Sequence, residues 1–97
     1  MVRLLNRLKT QKKILKNLFS LYKIRRIAVF GSYATGTQTR DSDVDFLVDF
    51  KKDADLWDQS GLKIDLQEIL GKKVDVVTPG SLSKYLRAKV LKEAVYL

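Results

Sequence analysis

The run Ile27-Ala28-Val29-Phe30-Gly31-Ser32, followed after ten residues by Asp43-Val44-Asp45-Phe46-Leu47-Val48-Asp49-Phe50, decides how the chain reads. Ile27, Val29 and Phe30 suit a buried strand. Gly31 ends it with a residue that accepts unusual backbone angles and lets a ligand come close to the main chain. Ser32 can cap a short helix starting there, and free N–H groups at a helix start attract phosphate. In the second strand side chains alternate, so Asp43 and Asp45 share one face while Val44, Phe46, Val48 and Phe50 line the other. Two neighbouring carboxylates repel unless a cation lies between them. Oxygen donors favour Mg²⁺ or Mn²⁺, with phosphates completing the shell.

Working outward, residues 2–22 read as one amphipathic helix, with Leu4, Leu8, Leu15, Leu18, Phe19 and Tyr22 on an apolar stripe and Lys9, Lys12, Lys13 and Lys16 mostly off it. The first strand covers about 26–30, and residues 31–36 make a turn and a short helical piece. Residues 37–42 are loop-like, and the second strand covers about 43–50. Residues 56–70 are helical on a stripe of Leu56, Leu62, Leu66, Ile69 and Leu70. Gly61 is a weak point where that helix could bend, and Gly71 is its C-cap. A third strand at 73–77 is followed by the turn Thr78-Pro79-Gly80-Ser81, where Ser81 is a candidate N-cap. The last helix is expected over 82–96, carried by Leu82, Leu86, Val90 and Leu91. Strands separated by helices predict an α/β (α+β) fold, a small mixed sheet with helices packed mainly on one face. All 97 residues are expected to form one domain, with a basic amphipathic helix at 1–23 and a catalytic core at 26–97.

Composition narrows the chemistry. Cysteine and histidine are absent, which removes disulfides, thiolate or imidazole metal sites and Ser-His or Cys-His catalysis. Any metal must be held by carboxylates. No apolar run approaches the roughly 18 residues that span a bilayer, and no signal peptide is visible, so a cytoplasmic location and no membrane partner are expected. The net charge of +8 is uneven: residues 1–26 hold nine Lys or Arg and no acid, while eight of the eleven acids fall between Asp41 and Asp65. A basic segment beside an acidic one can attract nucleic acid or an acidic partner, or be a plain solvated helix face. Stacking aromatics are not interleaved with the charges.

Asp75 interrupts the apolar residues Val74, Val76 and Val77. A carboxylate in such a strand needs a salt bridge, an outward edge position or a metal. Asp41, Asp43 and Asp45 fit the first positions of a calcium loop, but Phe46 stands where its glycine belongs and Lys52 where its glutamate belongs. Gly31-Ser32 lacks the Gly-Lys-Ser/Thr of a P-loop. Asp41 and Asp49 read as solvent-facing, and Tyr22, Trp57, Tyr85 and Tyr96 as core or interface aromatics.

Gly31-Ser32, ten residues, then Asp43-Val44-Asp45-Phe46 resembles the signature of the polymerase-beta-like nucleotidyltransferases, above all their minimal, stand-alone (MNT) members. The likeness continues through Gly71-Lys72-Lys73-Val74-Asp75-Val76-Val77-Thr78-Pro79-Gly80-Ser81-Leu82 and covers roughly residues 15–97. The resemblance implies that Gly31 and Ser32 bind the nucleotide and that Asp43, Asp45 and Asp75 are the catalytic, Mg²⁺-holding set, with Asp75 also the general base. It implies ATP as substrate, and transfer of AMP to a tyrosine of a cognate HEPN-domain RNase toxin that this chain would silence as antitoxin. Many members carry arginine between the two glycines; Tyr33, Ala34 and Thr35 stand there in this chain, leaving Arg40 or a partner's basic residue to meet the phosphates. Two other readings stand beside it: a non-catalytic module that neutralises its partner by stoichiometric contact, and nucleic-acid binding through the basic helix.

Overall fold

The computed structural model describes residues 3–97, with side-chain surroundings from residue 6 onward. The elements run α1 (Arg3–Thr10), α2 (Lys12–Leu21), β1 (Ile24–Phe30), α3 (Ser32–Thr35), β2 (Val44–Phe50), α4 (Leu56–Leu70), β3 (Val74–Val77), a 3₁₀ turn (Pro79–Ser81), α5 (Lys84–Glu93) and β4 (Val95–Tyr96). The sheet has four strands in the order β3-β2-β1-β4. β1 is antiparallel to β2 and to β4, and β2 is parallel to β3. The expected mixed sheet is therefore present.

The apolar face of β2 faces the main core. Val44, Phe46 and Val48 pack there with Ile27 and Val29 of β1, Val74 and Val76 of β3, Leu8 and Leu18 of α1 and α2, and Leu62, Leu66 and Leu70 of α4. The opposite face is divided. Ala28 and Leu47 lie under Val90 of α5, with Phe30, Leu82 and Ala94 around them. Most helices thus cover one face, and α5 covers the middle of the other.

Four expectations change. The single helix over 2–22 is two helices separated at Gln11, whose φ of −94° and ψ of 74° leave the helical region. An unbroken 21-residue rod would be about 30 Å long, whereas the break lets both Leu8 and Leu18 reach the core. The expected start at Val2 and the stripe position Leu4 lie outside the described residues and side chains. The last helix is shorter than 82–96: Ser83, not Ser81, caps it by accepting from the Leu86 N–H at 3.3 Å. Its expected last residues instead form β4, where Val95 pairs with Val29 and Tyr96 with Ala28. Leu56 leaves the buried stripe and stands exposed, as do Leu86 and Leu91.

The fourth change is Gly61, where α4 does not bend. A Cβ there would meet Tyr22 Cε1 at 2.6 Å. The missing side chain makes room for the Tyr22 ring, whose hydroxyl donates to Asp65 on the same helix. That bond, then burial and the Asp65 charge, push the Tyr22 phenol up to about 12. At the helix start, Asp55 accepts from the Asp58 N–H at 3.1 Å and Asp58 accepts from the Asp55 N–H at 3.0 Å, a reciprocal cap. Gly71 ends the helix as expected, with φ 65°.

Candidate active site

β1 ends at Phe30, which pairs with Asp45 of β2; Asp45 in turn pairs with Asp75 of β3. In a parallel pair, residues in register present their side chains on the same face. Phe30, Asp45 and Asp75 therefore line one edge of the second face, beyond the area that α5 covers. Asp45 is half-buried in the central position, while Asp43 and Asp75 are exposed. Two further consequences follow for Asp45. Burial first, then the charges of Asp75 and Asp43, push its carboxyl above the ordinary carboxylate value. And among the described residues no Lys or Arg nitrogen lies within 4.0 Å of Asp43, Asp45 or Asp75. The salt-bridge explanation for Asp75 in an apolar strand is thereby set aside, although its outward edge position remains.

Gly31 closes the other side of Asp45. Its φ of 73° and ψ of −152° belong to a region that side chains resist. A Cβ at that position would lie 2.5 Å from Asp45 Oδ2. The glycine is thus required twice, for its backbone angles and for the space the carboxylate occupies. α3 starts immediately after it, with Gly31 and not the expected Ser32 at the cap position and no side-chain cap bond. The N–H groups of Ala34 and Thr35 close on the Gly31 carbonyl at 3.0 and 3.1 Å, which leaves those of Ser32 and Tyr33 at the open helix start.

The segment between the glycines behaves unlike a cationic phosphate clamp. Tyr33 is buried in the main core, and the Thr35 hydroxyl is occupied by the Gly31 and Ser32 carbonyls and Thr37. Arg40 is exposed on the following loop, and Lys72 Nζ donates to its carbonyl at 2.7 Å. Lys72 therefore ties the Asp43 loop to the approach of β3, where the Val44 N–H also bonds the Lys73 carbonyl at 3.0 Å. Lys72 carries no signal of its own in the sequence, since only the pairing of β2 with β3 brings it to this loop. Of the residues set aside, Asp41 is exposed as expected, while Asp49 sits on the same sheet face as Asp45 and pairs loosely with Arg26 at 3.8 Å.

The structure thus brings Gly31, Asp45 and Asp75 together on three adjoining strand ends, with Asp43 close enough to act on Asp45 by its charge. Among the described residues no three acids already converge as a closed ligand group. The donors are oxygen only and lack cationic partners, and this chemistry fits a hard divalent ion.

The acids paired across the sheet edge face a glycine-serine corner. The model of the nucleotidyltransferase domain family matches residues 8–97, and the chain belongs to that family. It is similar to the protein adenylyltransferase MntA of Thermococcus cleftensis, 42% identical over 82 residues, which cover 84% of this chain and 83% of that protein. Among solved structures, it superposes with a TM-score of 0.70 on a chain of a toxin–antitoxin complex containing AMP-PNP, at 30% identity over 89% of this chain and 71% of that one. It also superposes with a TM-score of 0.63 on a chain of a Shewanella oneidensis complex of an MNT antitoxin with a tri-AMPylated HEPN toxin, at 26% identity over 93% and 70%. The resemblance to minimal nucleotidyltransferases is borne out, and the fold with it. No helix among the described residues is long and apolar enough to cross a membrane.

Proposed function

We propose that this chain transfers AMP from ATP to a tyrosine hydroxyl of a HEPN-domain toxin and so acts as the antitoxin of a cytoplasmic toxin–antitoxin pair. The observation that carries the reading is the register of Asp45 with Asp75, closed on its other flank by Gly31. In the reaction, the acceptor oxygen forms a bond to the α-phosphorus. The bond from that phosphorus to the α–β bridging oxygen breaks, and pyrophosphate leaves with the electron pair. The hydroxyl proton passes to the Asp75 carboxylate, the most exposed of the paired acids and the one on the edge strand.

Gly31 and Ser32 hold the phosphate chain at the open start of α3, where main-chain N–H groups supply positive potential. Arg40 and Lys72 add cationic charge from the neighbouring loop. Asp43, Asp45 and Asp75 would hold Mg²⁺, which when bound offsets the phosphate charge and lowers the cost of bringing an anion to the site. Asp45, enclosed between Gly31 and Asp75, fixes the position of that charge. Holding the reacting groups in place accounts for most of the rate gain.

The test is incubation with labelled ATP, Mg²⁺ and a HEPN-domain partner protein, followed by intact-mass analysis of that protein. AMP additions are expected with the natural chain and none with Asp43→Asn or Asp75→Asn. If the toxin stays neutralised by both variants, stoichiometric binding replaces transfer.

A further inference from the structure

Asp75 faces more than the sheet. It also lines a cleft of about 190 Å³ with Val76 of its own strand and Leu56, Gln59, Ser60 and Lys63 of α4. The cleft runs along the outer side of β3, the edge strand. An open strand edge ordinarily invites another strand to pair with it. Here two glutamines of α4 occupy its outward backbone groups: Gln67 Oε1 accepts from the Val74 N–H at 3.1 Å, and Gln59 Nε2 donates to the Val76 carbonyl at 3.4 Å. Strand addition is disfavoured, and what remains accessible is a groove of side chains.

Its contents point to one kind of occupant. Leu56 is 78% exposed at the start of α4, and Trp57 and Ile64, on the adjoining helix surface, are 84% and 57% exposed. The reciprocal cap at Asp55 and Asp58 fixes that first turn, so the apolar pair is displayed on a rigid element. Lys63, exposed and with no acid within 4.0 Å among the described residues, and Asp75 line the same cleft. An apolar lip, a cation and a proton acceptor complement a segment that carries an aromatic hydroxyl next to an acidic side chain.

We infer that this groove is the acceptor dock: the tyrosine-bearing segment of the partner protein lies along α4, its ring against Leu56 and Trp57, an acidic neighbour on Lys63 and its hydroxyl on Asp75. The inference rests on the transferase reading and adds the surface that selects the acceptor. Leu56, Trp57 and Lys63 are separate from the residues assigned to the phosphates, so they govern acceptor affinity and leave nucleotide binding alone.

Two surface variants, Lys63→Glu and Trp57→Ala, test it, with the same HEPN-domain protein as acceptor. The expected result is a rise of about tenfold or more in KM for that protein, with kcat and the affinity for Mg·ATP within about twofold of the natural chain. An unchanged acceptor KM in both variants, or an equal loss of ATP affinity, overturns the dock. Trp57 is the chain's single tryptophan, so its emission reports occupancy without any turnover. A Lys63-dependent change on adding the HEPN protein, with no AMP transferred, would keep the dock and overturn the transferase reading. A change that appears instead on concentrating this chain alone would assign the groove to a second copy and overturn the acceptor dock.

Discussion

At Asp45 the fold holds a carboxylate where burial and two further acids oppose its charge. Such a group costs stability and is kept for what it can bind. Asp45→Asn should therefore raise the melting temperature by a few degrees in chelator while abolishing transfer. Mg²⁺ should stabilise the natural chain and not the variant. The pH dependence has a definite sign. The folded carboxyl lies above the unfolded value of about 3.9, so its favourable contribution is full below that value and lost as pH rises through the folded one. The advantage of the variant in thermal melts should accordingly shrink toward pH 4; an advantage that grows on acidification would contradict the burial and charge origin of the shift. Gly31→Ala should cost about 1–3 kcal/mol from its backbone angles alone. It should also lower transfer by about 100-fold or more, because the new methyl displaces the Asp45 carboxylate. Denaturant melts and steady-state rates check the two halves separately. Alternation in the sequence placed Asp45 and Asp43 on one face, and the apolar neighbours of Asp75 marked it as anomalous. The exact partner of Asp75 was not readable, because strand register depends on how helices and turns seat β3.

α4 shows at the level of an element what periodicity captures and what it misses. Its bounds, 56–70, follow from the stripe and Gly71, and the structure reproduces them. Its glycine does not follow, since the partner that needs the space is Tyr22, 39 positions earlier at the C-terminal cap of α2. Propensity alone would make Gly61→Ala stabilising by about 1 kcal/mol. The Tyr22 ring reverses the sign, and a loss of about 1–3 kcal/mol in denaturant unfolding is expected. Tyr22→Phe should remove the bond to Asp65 and cost about 1–2 kcal/mol near neutrality. Because the folded phenol is raised to about 12, that contribution is complete below about pH 10 and fades as pH climbs through the folded value. An ultraviolet titration should lose its highest tyrosinate step in the variant. β4 and the break at Gln11 escaped the sequence for related reasons. Two residues are too few for a period, and Gln11 is neither Gly nor Pro; each is set by packing against β1 and the core.

Over the whole molecule, charge and shape are divided between the two sides of one sheet. Helices α1, α2 and α4 close the main core, α5 covers the middle of the second face, and the acids lie uncovered at its edge beside β3. This leaves a site open toward solvent beside the edge strand. The likeness to minimal nucleotidyltransferases was legible from the Gly-Ser and Asp-x-Asp spacing and the later strand Asp. The groove beside Asp75 was not, because Leu56 fits the apolar stripe by spacing and only the seating of α4 shows that it faces outward. The most direct measurement is an NMR titration of the chain with Mn²⁺ and a non-hydrolysable ATP analogue, following paramagnetic broadening of backbone amides. A nucleotide–metal site at the sheet edge predicts broadening centred on Gly31, Ser32, Asp43, Asp45 and Asp75, lost in Asp45→Asn. Broadening centred elsewhere, or persisting unchanged in that variant, would contradict it.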